Sequence, residues 1–178
     1  MINELADLFN KYCEHYNLDI GLSFEMPNEY RNVLAKYDNV LKKLYLNTVV
    51  INSLSRAERF YYFFKEIRYA IQYEHPENFD EWFIKCLNYL IYDSGDCCKL
   101  IDGIWHSCHL NGDANYFHNA NLNLPSNIDA NYFAYNEAQY YDSDISITKE
   151  IHSNYSPKID FDITEFEKLF ERIDEEIK

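Results

Sequence analysis

Five residues with metal-binding side chains are concentrated in a short stretch of the chain. They are Cys97, Cys98, His106, Cys108 and His109. Thiolates and imidazoles are the ligands of tetrahedral zinc sites, so a structural zinc is one interpretation of this group. The stretch lacks a C-x-x-C pair, however, and alternation along a strand sends neighbouring side chains to opposite faces. Because cysteine is also a common small core residue, the sequence favours no bound cofactor and leaves zinc as the alternative.

The segment FFKEIRYAIQYEHP, residues 63–76, contains a second candidate site. A helix with zinc-peptidase chemistry reads H-E-x-x-H, in which two histidines one turn apart hold the metal and the glutamate acts on the water. Here Lys65 and Tyr69 occupy the two histidine places, and only Glu66 remains. A lysine repels a metal cation, and without a metal the pKa of water is not lowered to near 7. The segment therefore retains the glutamate of a hydrolytic helix but lacks the two histidine ligands.

The first half of the chain shows the helix and strand patterns that would position this segment. The clearest signal is the S-x-x-E capping box of Ser55 and Glu58, which precedes a periodic apolar stripe that ends before Pro76. The predicted elements are an amphipathic N-terminal helix at 2–15, strands at 19–25 and 42–52, a long central helix at about 55–74 and a second helix at 77–92.

The second half of the chain is marked by one turn signal and one further capping box. Asp102 and Gly103 lie between two apolar segments and predict a β-hairpin. Thr164 and Glu167 are predicted to cap a C-terminal amphipathic helix. The predicted stretches are a hairpin at 97–112, irregular chain at 113–127, a helix at 127–140, a loop at 142–160 and the last helix at 164–177. Together these patterns indicate an α+β protein with small β-sheets or hairpins.

Two of these segments resemble motifs of small zinc-metallopeptidase-like proteins of bacteria and their mobile elements. The active helix of that family reads like HExRHAxQY, and the residues that match it are Glu66, Arg68, Ala70, Gln72 and Tyr73. The family's third ligand is a glutamate in a stretch like PxEIDAN, which is similar to PSNIDAN at 125–131. The retained residues there are Pro125, Ile128, Asp129, Ala130 and Asn131, whereas Asn127 occupies the glutamate place. The resemblance covers roughly 40–135 and implies a metallopeptidase-like core within residues 1–140.

The resemblance implies a pseudo-enzyme, because all three expected ligand places are changed together. No catalytic residue is predicted, and the vestigial site comprises Lys65, Glu66, Tyr69 and Asn127. One alternative is a zinc-dependent peptidase-like enzyme, or a zinc-stabilised protein, in which the metal has moved to the hairpin cysteines and histidines. A second alternative is that Arg68, Gln72 and Asp129 are ordinary helix-surface residues.

Length and composition restrict the class of protein. The chain has 178 residues, a length that suits a single domain over 1–178 with a hydrophobic core. Its formal net charge of −14 argues against direct binding to nucleic-acid phosphates, which requires a basic patch. We find no charged-then-apolar leader and no apolar run near the roughly 18 residues of a membrane span. Five cysteines is an odd number, so we expect free thiols and a cytoplasmic protein without membrane contact.

The acidic charge is concentrated towards the C-terminus. Residues 125–178 contain 13 acidic and five basic side chains, and 141–178 is expected to be an acidic loop followed by the last helix. In QYYDSD, residues 139–144, tyrosines stand beside aspartates, a composition typical of a contact surface for a basic protein partner. The predicted partner-binding residues are Tyr140, Tyr141, Asp142, Asp144, Glu171, Asp174 and Glu175.

A small, acidic, tyrosine-rich chain without catalytic residues is similar to phage and mobile-element inhibitors of host defence, anti-CRISPR proteins among them. Such inhibitors occupy the nucleic-acid groove of a nuclease with carboxylates in place of phosphates. The similarity implies a non-catalytic binding protein in the host cytoplasm. Its expected partner is a basic nucleic-acid-handling protein such as a CRISPR nuclease.

Overall fold

The computed structural model describes residues 2–142 and 145–177, and these form an α+β structure as predicted. The helices are α1 (Ile2–Tyr16), α2 (Arg56–Glu74), α3 (Glu81–Leu87), α4 (Ala114–Asn123), α5 (Pro125–Tyr141), α6 (Ile145–Asn154) and α7 (Ile163–Glu176). The strands are β1 (Gly21–Ser23), β2 (Ala35–Asp38), β3 (Lys43–Leu46), β4 (Tyr89–Ile91), β5 (Asp96–Ile101) and β6 (Ile104–His109). Short 3-10 helices cover Asn28–Tyr30, Ile51–Ser53 and Pro76–Asn78.

The chain divides into two compact units, and each unit is assembled from two separate stretches. The first unit consists of Met1–Asn78 and Asp129–Asn154. The second unit consists of Phe79–Ile128 and Tyr155–Lys178. Helix α5 therefore begins in the sequence of the second unit and contributes its residues from Asp129 onward to the first.

Helix α2 forms the centre of the first unit. Its predicted capping box is present, because Glu58 N donates to Ser55 Oγ at 3.2 Å and Ser55 N donates to Glu58 Oε2 at 2.7 Å. Helices α1 and α6 pack against α2, and so do strands β2 and β3. In the sheet, β3 lies between β1, to which it is parallel, and β2, to which it is antiparallel. The buried stripe of α2 is Ala57, Phe60, Tyr61, Phe63, Phe64, Ile67, Ala70, Ile71 and Gln72.

The second unit is an antiparallel meander of β4, β5 and β6, against which α4 and α7 pack. The predicted hairpin is confirmed: Ile101 pairs with Ile104, and the turn residues Asp102 and Gly103 have φ of 50° and 78°. Both φ values are positive, which is why an Asp-Gly pair suits this two-residue turn. Helix α7 buries one apolar face in the core of this unit, where Phe170 stacks on Tyr89 with ring centroids 3.8 Å apart.

The predicted helix at 77–92 is wrong in its second half. Helix α3 covers only Glu81–Leu87, and Tyr89–Ile91 form strand β4 instead. The apolar residues of this stretch satisfy helical spacing, but β5 offers backbone partners from Tyr89 to Ile91. Pairing with a neighbouring strand therefore overrides the local helical pattern.

Two stretches predicted without regular structure are helical. Residues 113–127 contain α4, whose Asp113 side chain accepts from Asn115 N at 3.0 Å and which buries Phe117 and Ala120. Residues 142–160 contain α6, which buries Thr148 and Ile151. Their many polar residues suggested loops, whereas burial of one narrow apolar face supplies the stability that helix propensity does not. The strand predicted at 42–52 is also shorter, because β3 ends at Leu46.

Helix α7 begins two residues earlier than its predicted capping box implies. Asp162, not Thr164, is the N-cap: its carboxylate accepts from Glu165 N at 2.9 Å, and Asp162 N donates to Glu165 Oε2 at 2.9 Å. The D-x-x-E and T-x-x-E spacings overlap in this sequence. The carboxylate of Asp162 also interacts favourably with the positive end of the helix dipole.

The two overlapping capping boxes can be separated by mutation. We expect Asp162→Ala to lower the free energy of unfolding by about 1 kcal/mol, because the N-cap hydrogen bond is lost. Thr164→Ala removes an exposed side chain within the first turn and should change it by less than about 0.5 kcal/mol. Urea unfolding followed by circular dichroism measures both. Equal effects, or a larger effect of Thr164→Ala, would contradict the assignment of the cap.

Candidate functional site

Glu66, the residue at the glutamate place of the H-E-x-x-H pattern, is hydrogen-bonded to the backbone of the neighbouring sheet. Its Oε2 accepts a hydrogen bond from Tyr37 N in strand β2 at 2.7 Å. About two turns further along α2, Glu74 accepts a hydrogen bond from the Tyr37 hydroxyl at 2.8 Å and forms an ion pair with Lys42 at 2.7 Å. Two glutamates of α2 therefore hold the same tyrosine, one at its backbone and one at its side chain.

The register of the sheet explains why the Tyr37 N–H is available. Strand β2 is an edge strand, and Asn47 N donates to Leu34 O at 2.7 Å just before the strand begins. Hydrogen-bonded residues alternate in an antiparallel pair, so Lys36 bonds to β3 and Tyr37 directs its N–H away from it. The Glu66 carboxylate satisfies this outward donor. Its role in the described structure is thus to attach α2 to the sheet edge.

Lys65 and Glu66 lie in a half-buried position where charge is costly. Burial lowers the pKa of Lys65 to about 8, although the adjacent Glu66 opposes this shift. Burial also raises the pKa of Glu66 above its usual value, against the opposing effects of Lys36, the Tyr37 N–H and Lys65. Lys36 and Lys65 are thus the positively charged neighbours that favour the ionised form of Glu66.

Arg68, Gln72 and Asp129 form a closely bonded polar group between α2 and α5. Arg68 donates to both oxygens of Asp129, from Nε at 2.6 Å and from an η nitrogen at 3.0 Å. Gln72, which is fully buried, donates from Nε2 to Asp129 at 2.7 Å. The alternative that these three are ordinary helix-surface residues is therefore wrong. Arg68 and Gln72 are one turn apart, so they reach the same carboxylate.

A second polar group continues this connection to α6. The Tyr61 hydroxyl donates to the side-chain oxygen of Asn131, and it also lies 3.3 Å from the Asn131 carbonyl oxygen. Asn131 Nδ2 in turn donates to the backbone oxygen of His152 at 3.3 Å. Tyr61 and Asn131 are both buried, so these bonds satisfy polar groups that water does not reach.

Tyr69 and Asn127, the two other residues of the predicted vestigial site, have different surroundings. Tyr69 lies half-buried on α2. Asn127 belongs to the second unit, where its amide donates to the backbone oxygen of Asn121 at 2.7 Å and to the side-chain oxygen at 2.6 Å. Asn127 thus anchors the junction of α4 and α5 within that unit.

The cysteines and histidines of the hairpin are divided between the two faces of the sheet. Cys97 lies opposite Cys108, and on the same face His106 lies opposite Lys99. Cys98 and His109 occupy the other face, because side chains alternate along a strand. Cys97 is fully buried in the apolar core, where burial raises the pKa of its thiol to about 12. Among the side chains that the structure describes, no three of Cys, His, Asp or Glu are grouped to hold a metal ion.

The predicted contact loop contains side chains with unequal exposure. Tyr140 is 82% exposed, whereas Tyr141 packs on Phe60 and Phe64 at centroid distances of 5.3 Å. Asp142 is half-buried, and Asp144 lies outside the described residues. Tyr140 is therefore the tyrosine of this pair that is available for contact.

The predicted acidic residues of α7 also differ. Asp174 pairs with Lys99 at 2.6 Å and accepts from the Tyr89 hydroxyl at 3.1 Å, so it is engaged inside the second unit. Glu171 and Glu175 are exposed, and neither has an ion-pair partner in the described part of the chain. They are four residues apart and thus project from the same side of the helix.

Sequence reasoning missed a cleft in the first unit. Its volume is about 250 Å³, and its lining residues are Lys11, Tyr12, His15, Tyr16 and Glu137. The pairs Lys11/His15 and Tyr12/Tyr16 each have helical spacing on α1, but this spacing alone does not indicate that Glu137 lies opposite. The cleft combines charged and aromatic side chains.

Comparison of the chain with family models, with curated proteins and with solved structures finds no match. None of the described helices is both long and apolar enough to cross a membrane.

The bonds to Asp129 should make a measurable contribution to stability. We expect Asp129→Asn to lower the free energy of unfolding by about 2 kcal/mol, because the charge that Arg68 and Gln72 share is removed. Asp7→Asn is the matched control, since Asp7 is exposed on α1, and its effect should stay within about 0.5 kcal/mol. Urea unfolding measures both. Equal small effects would contradict the structural role of Asp129.

The raised pKa of Glu66 predicts a specific pH dependence. A carboxyl group with a pKa above its ordinary value of 4.5 in the folded state binds its proton more tightly there. Its stabilising contribution is complete below pH 4.5 and is lost as the pH rises through the raised pKa. Glutamine keeps an oxygen for the Tyr37 N–H and does not titrate. We therefore expect Glu66→Gln to gain stability relative to the wild type as the pH rises from 4.5 through the raised pKa of Glu66.

The measurement is the free energy of unfolding of both proteins at several pH values. Glu25→Gln serves as the control, because Glu25 is exposed, and its difference from the wild type should not vary with pH. A difference for Glu66→Gln that is constant, or that shifts in favour of the wild type as the pH rises, would contradict the assignment.

Proposed function

We propose that the protein is a non-catalytic, acidic binding protein with a metallopeptidase-like core, of phage or mobile-element type. It inhibits a basic nucleic-acid-handling host defence protein such as a CRISPR nuclease. One observation supports the non-catalytic part most directly: the Glu66 carboxylate accepts the Tyr37 N–H, in a helix where Lys65 and Tyr69 replace the metal-binding histidines. A glutamate that accepts a backbone N–H, in a helix that lacks the two histidines, is not placed to act on a metal-bound water.

The hydrogen bonds of the other motif residues support the same proposal. Arg68 and Gln72 are bonded to Asp129, and Tyr61 is bonded to Asn131. These contacts hold α2 against α5 and need no metal. The motif residues that remain are therefore those that serve the scaffold, as expected of a protein that keeps its fold for binding.

The exposed acidic residues support a basic partner. Glu171 and Glu175 project from one side of α7 and form no ion pair with another described residue, and the chain as a whole has a net charge of −14. Such carboxylates interact favourably with a groove whose lysines and arginines are arranged for phosphates. Because the same groove holds DNA or RNA, occupancy by this protein inhibits the partner.

The proposal predicts a charge-dependent interaction. The experiment immobilises the full chain and measures the binding of a panel of purified, guide-RNA-loaded CRISPR nucleases at about 0.1 M and about 0.5 M salt. We expect at least one nuclease to bind, with an affinity that falls about tenfold or more as the salt concentration rises. The double variant Glu171→Lys, Glu175→Lys should weaken binding at low salt by a similar factor.

A matched control makes the same change in charge elsewhere. Asp7→Lys with Glu25→Lys alters two exposed residues of the first unit, and we expect its binding to stay within about twofold of the wild type. An affinity that changes neither with the salt concentration nor in the α7 double variant would contradict the proposal. An absence of binding across the panel would also contradict it. A zinc content near one per chain in protein purified without chelators would favour the peptidase-like alternative instead.

A further inference from the structure

The cleft of the first unit contains a carboxylate that no side chain of the described structure neutralises. Glu137 accepts a hydrogen bond from the Tyr12 hydroxyl through Oε2. Its other oxygen, Oε1, has no hydrogen-bond donor within residues 2–142 and 145–177. No lysine, arginine or histidine of these residues forms an ion pair with it. A half-buried carboxylate of this kind is stabilised by a cation from outside.

The two basic residues of the cleft do not take this role. Lys11 donates to the Tyr141 hydroxyl at 3.3 Å and lies 5.9 Å from the centroid of that ring. His15 packs edge-on against the Tyr16 ring, with centroids 4.6 Å apart. Both are exposed residues of α1 and lie at the rim, whereas Tyr12 and Glu137 are more deeply buried.

Aromatic rings pack together around Tyr12, whose hydroxyl donates to the carboxylate. The rings of Tyr12 and Tyr16 have centroids 6.0 Å apart and a 28° interplanar angle, and Phe133 lies 6.4 Å from Tyr12 and 6.2 Å from Tyr16. Burial and the neighbouring Glu137 raise the pKa of Tyr12, so its hydroxyl remains a hydrogen-bond donor to that carboxylate. Aromatic faces beside an acidic group attract organic cations, of which planar guanidinium is especially suited to stacking.

The size of the cleft restricts its ligand. Its volume of about 250 Å³ is below the roughly 300–1,000 Å³ of sites for drug-sized molecules. It suits one side chain rather than a free cofactor. We infer that the cleft formed by Tyr12, Tyr16 and Glu137 binds a single arginine side chain, with the guanidinium on Glu137 and its plane against the tyrosine rings.

The identification of this arginine as part of a protein partner rests on the proposed function, because a basic nucleic-acid-handling protein presents many arginines. The cleft would then anchor one of them. Arginine binding by the cleft can nevertheless be measured without any partner.

The experiment titrates the full chain with N-acetyl-arginine methylamide and follows the aromatic NMR signals of Tyr12 and Tyr16. The matched probe is the citrulline analogue, which has nearly the same shape but no charge. We expect saturable shifts with the arginine probe and binding at least about tenfold weaker with citrulline. This comparison uses the unchanged protein, so it does not depend on how any variant folds.

Variants then locate the site. Glu137→Gln should weaken arginine binding by about tenfold, and Tyr16→Leu by about threefold. Glu14→Gln makes the same charge change on the exposed surface of α1 and should leave binding unchanged. Equal binding of the two probes, or undiminished binding to Glu137→Gln, would overturn the inference. Shifts produced by inorganic phosphate and not by arginine would also overturn it, since they would assign the cleft to anions through Lys11 and His15.

The inference and the proposed function fail in different ways. A protein that binds a nuclease in a salt-dependent manner but does not bind the arginine probe would retain the function and overturn the cleft as an arginine site. A protein that binds the probe but none of the nucleases would retain the arginine site and overturn the proposed partner.

Discussion

The carboxylate of Asp129 is the interaction on which the first unit depends. It receives two hydrogen bonds from Arg68 and one from Gln72, so a single acidic side chain of α5 fixes two successive turns of α2. Both helices are otherwise held by apolar contacts, which are not directional. The charged hydrogen bonds determine how far each helix is rotated and shifted relative to the other, because a bidentate arginine contact tolerates little displacement.

Once α2 is fixed in this way, the positions of its other polar residues follow. Glu66 faces the edge of the sheet and accepts the Tyr37 N–H, while Tyr61 faces α5 and donates to Asn131. A metal site in the same place would hold its helices together through ligands. Here hydrogen bonds between side chains and backbone do so, with Lys65 and Lys36 providing positive charge near Glu66. Hydrogen bonds made by the chain's own side chains therefore keep the surroundings of α2 ordered.

Several features of the fold follow from short-range chemistry and were predictable. The capping box of Ser55 and Glu58 and the Asp-Gly turn each depend on neighbouring residues alone, and both are confirmed. Strand β4 was not predictable, because its apolar residues fit a helix equally well until β5 is present to pair with them. Helices α4 and α6 were also missed, since their stability comes from burial of a few residues against distant parts of the chain.

In the candidate site too, some features depend on neighbouring residues and could be predicted, whereas others depend on distant residues and could not. The spacing of Arg68 and Gln72 indicates that they share a face of α2, but their common partner Asp129 lies about 60 positions further along the chain. The bond between Glu66 and Tyr37 depends on which residues of β2 direct their N–H groups outward, and this is settled only by the register with β3. Likewise, nothing local to Tyr12 and Tyr16 indicates that Glu137 completes their cleft.

The contact between Glu66 and Tyr37 has a consequence for the behaviour of the chain at high concentration. Strand β2 lies at the edge of its sheet, and unpaired edges serve as templates on which other chains add strands and aggregate. The side chain of Glu66 already occupies an outward N–H of this strand, and α2 packs beside it. An incoming strand would have to displace a carboxylate and a helix before it could pair. The hydrogen bond between Glu66 and Tyr37 thus protects this edge of the sheet against the addition of strands from other chains.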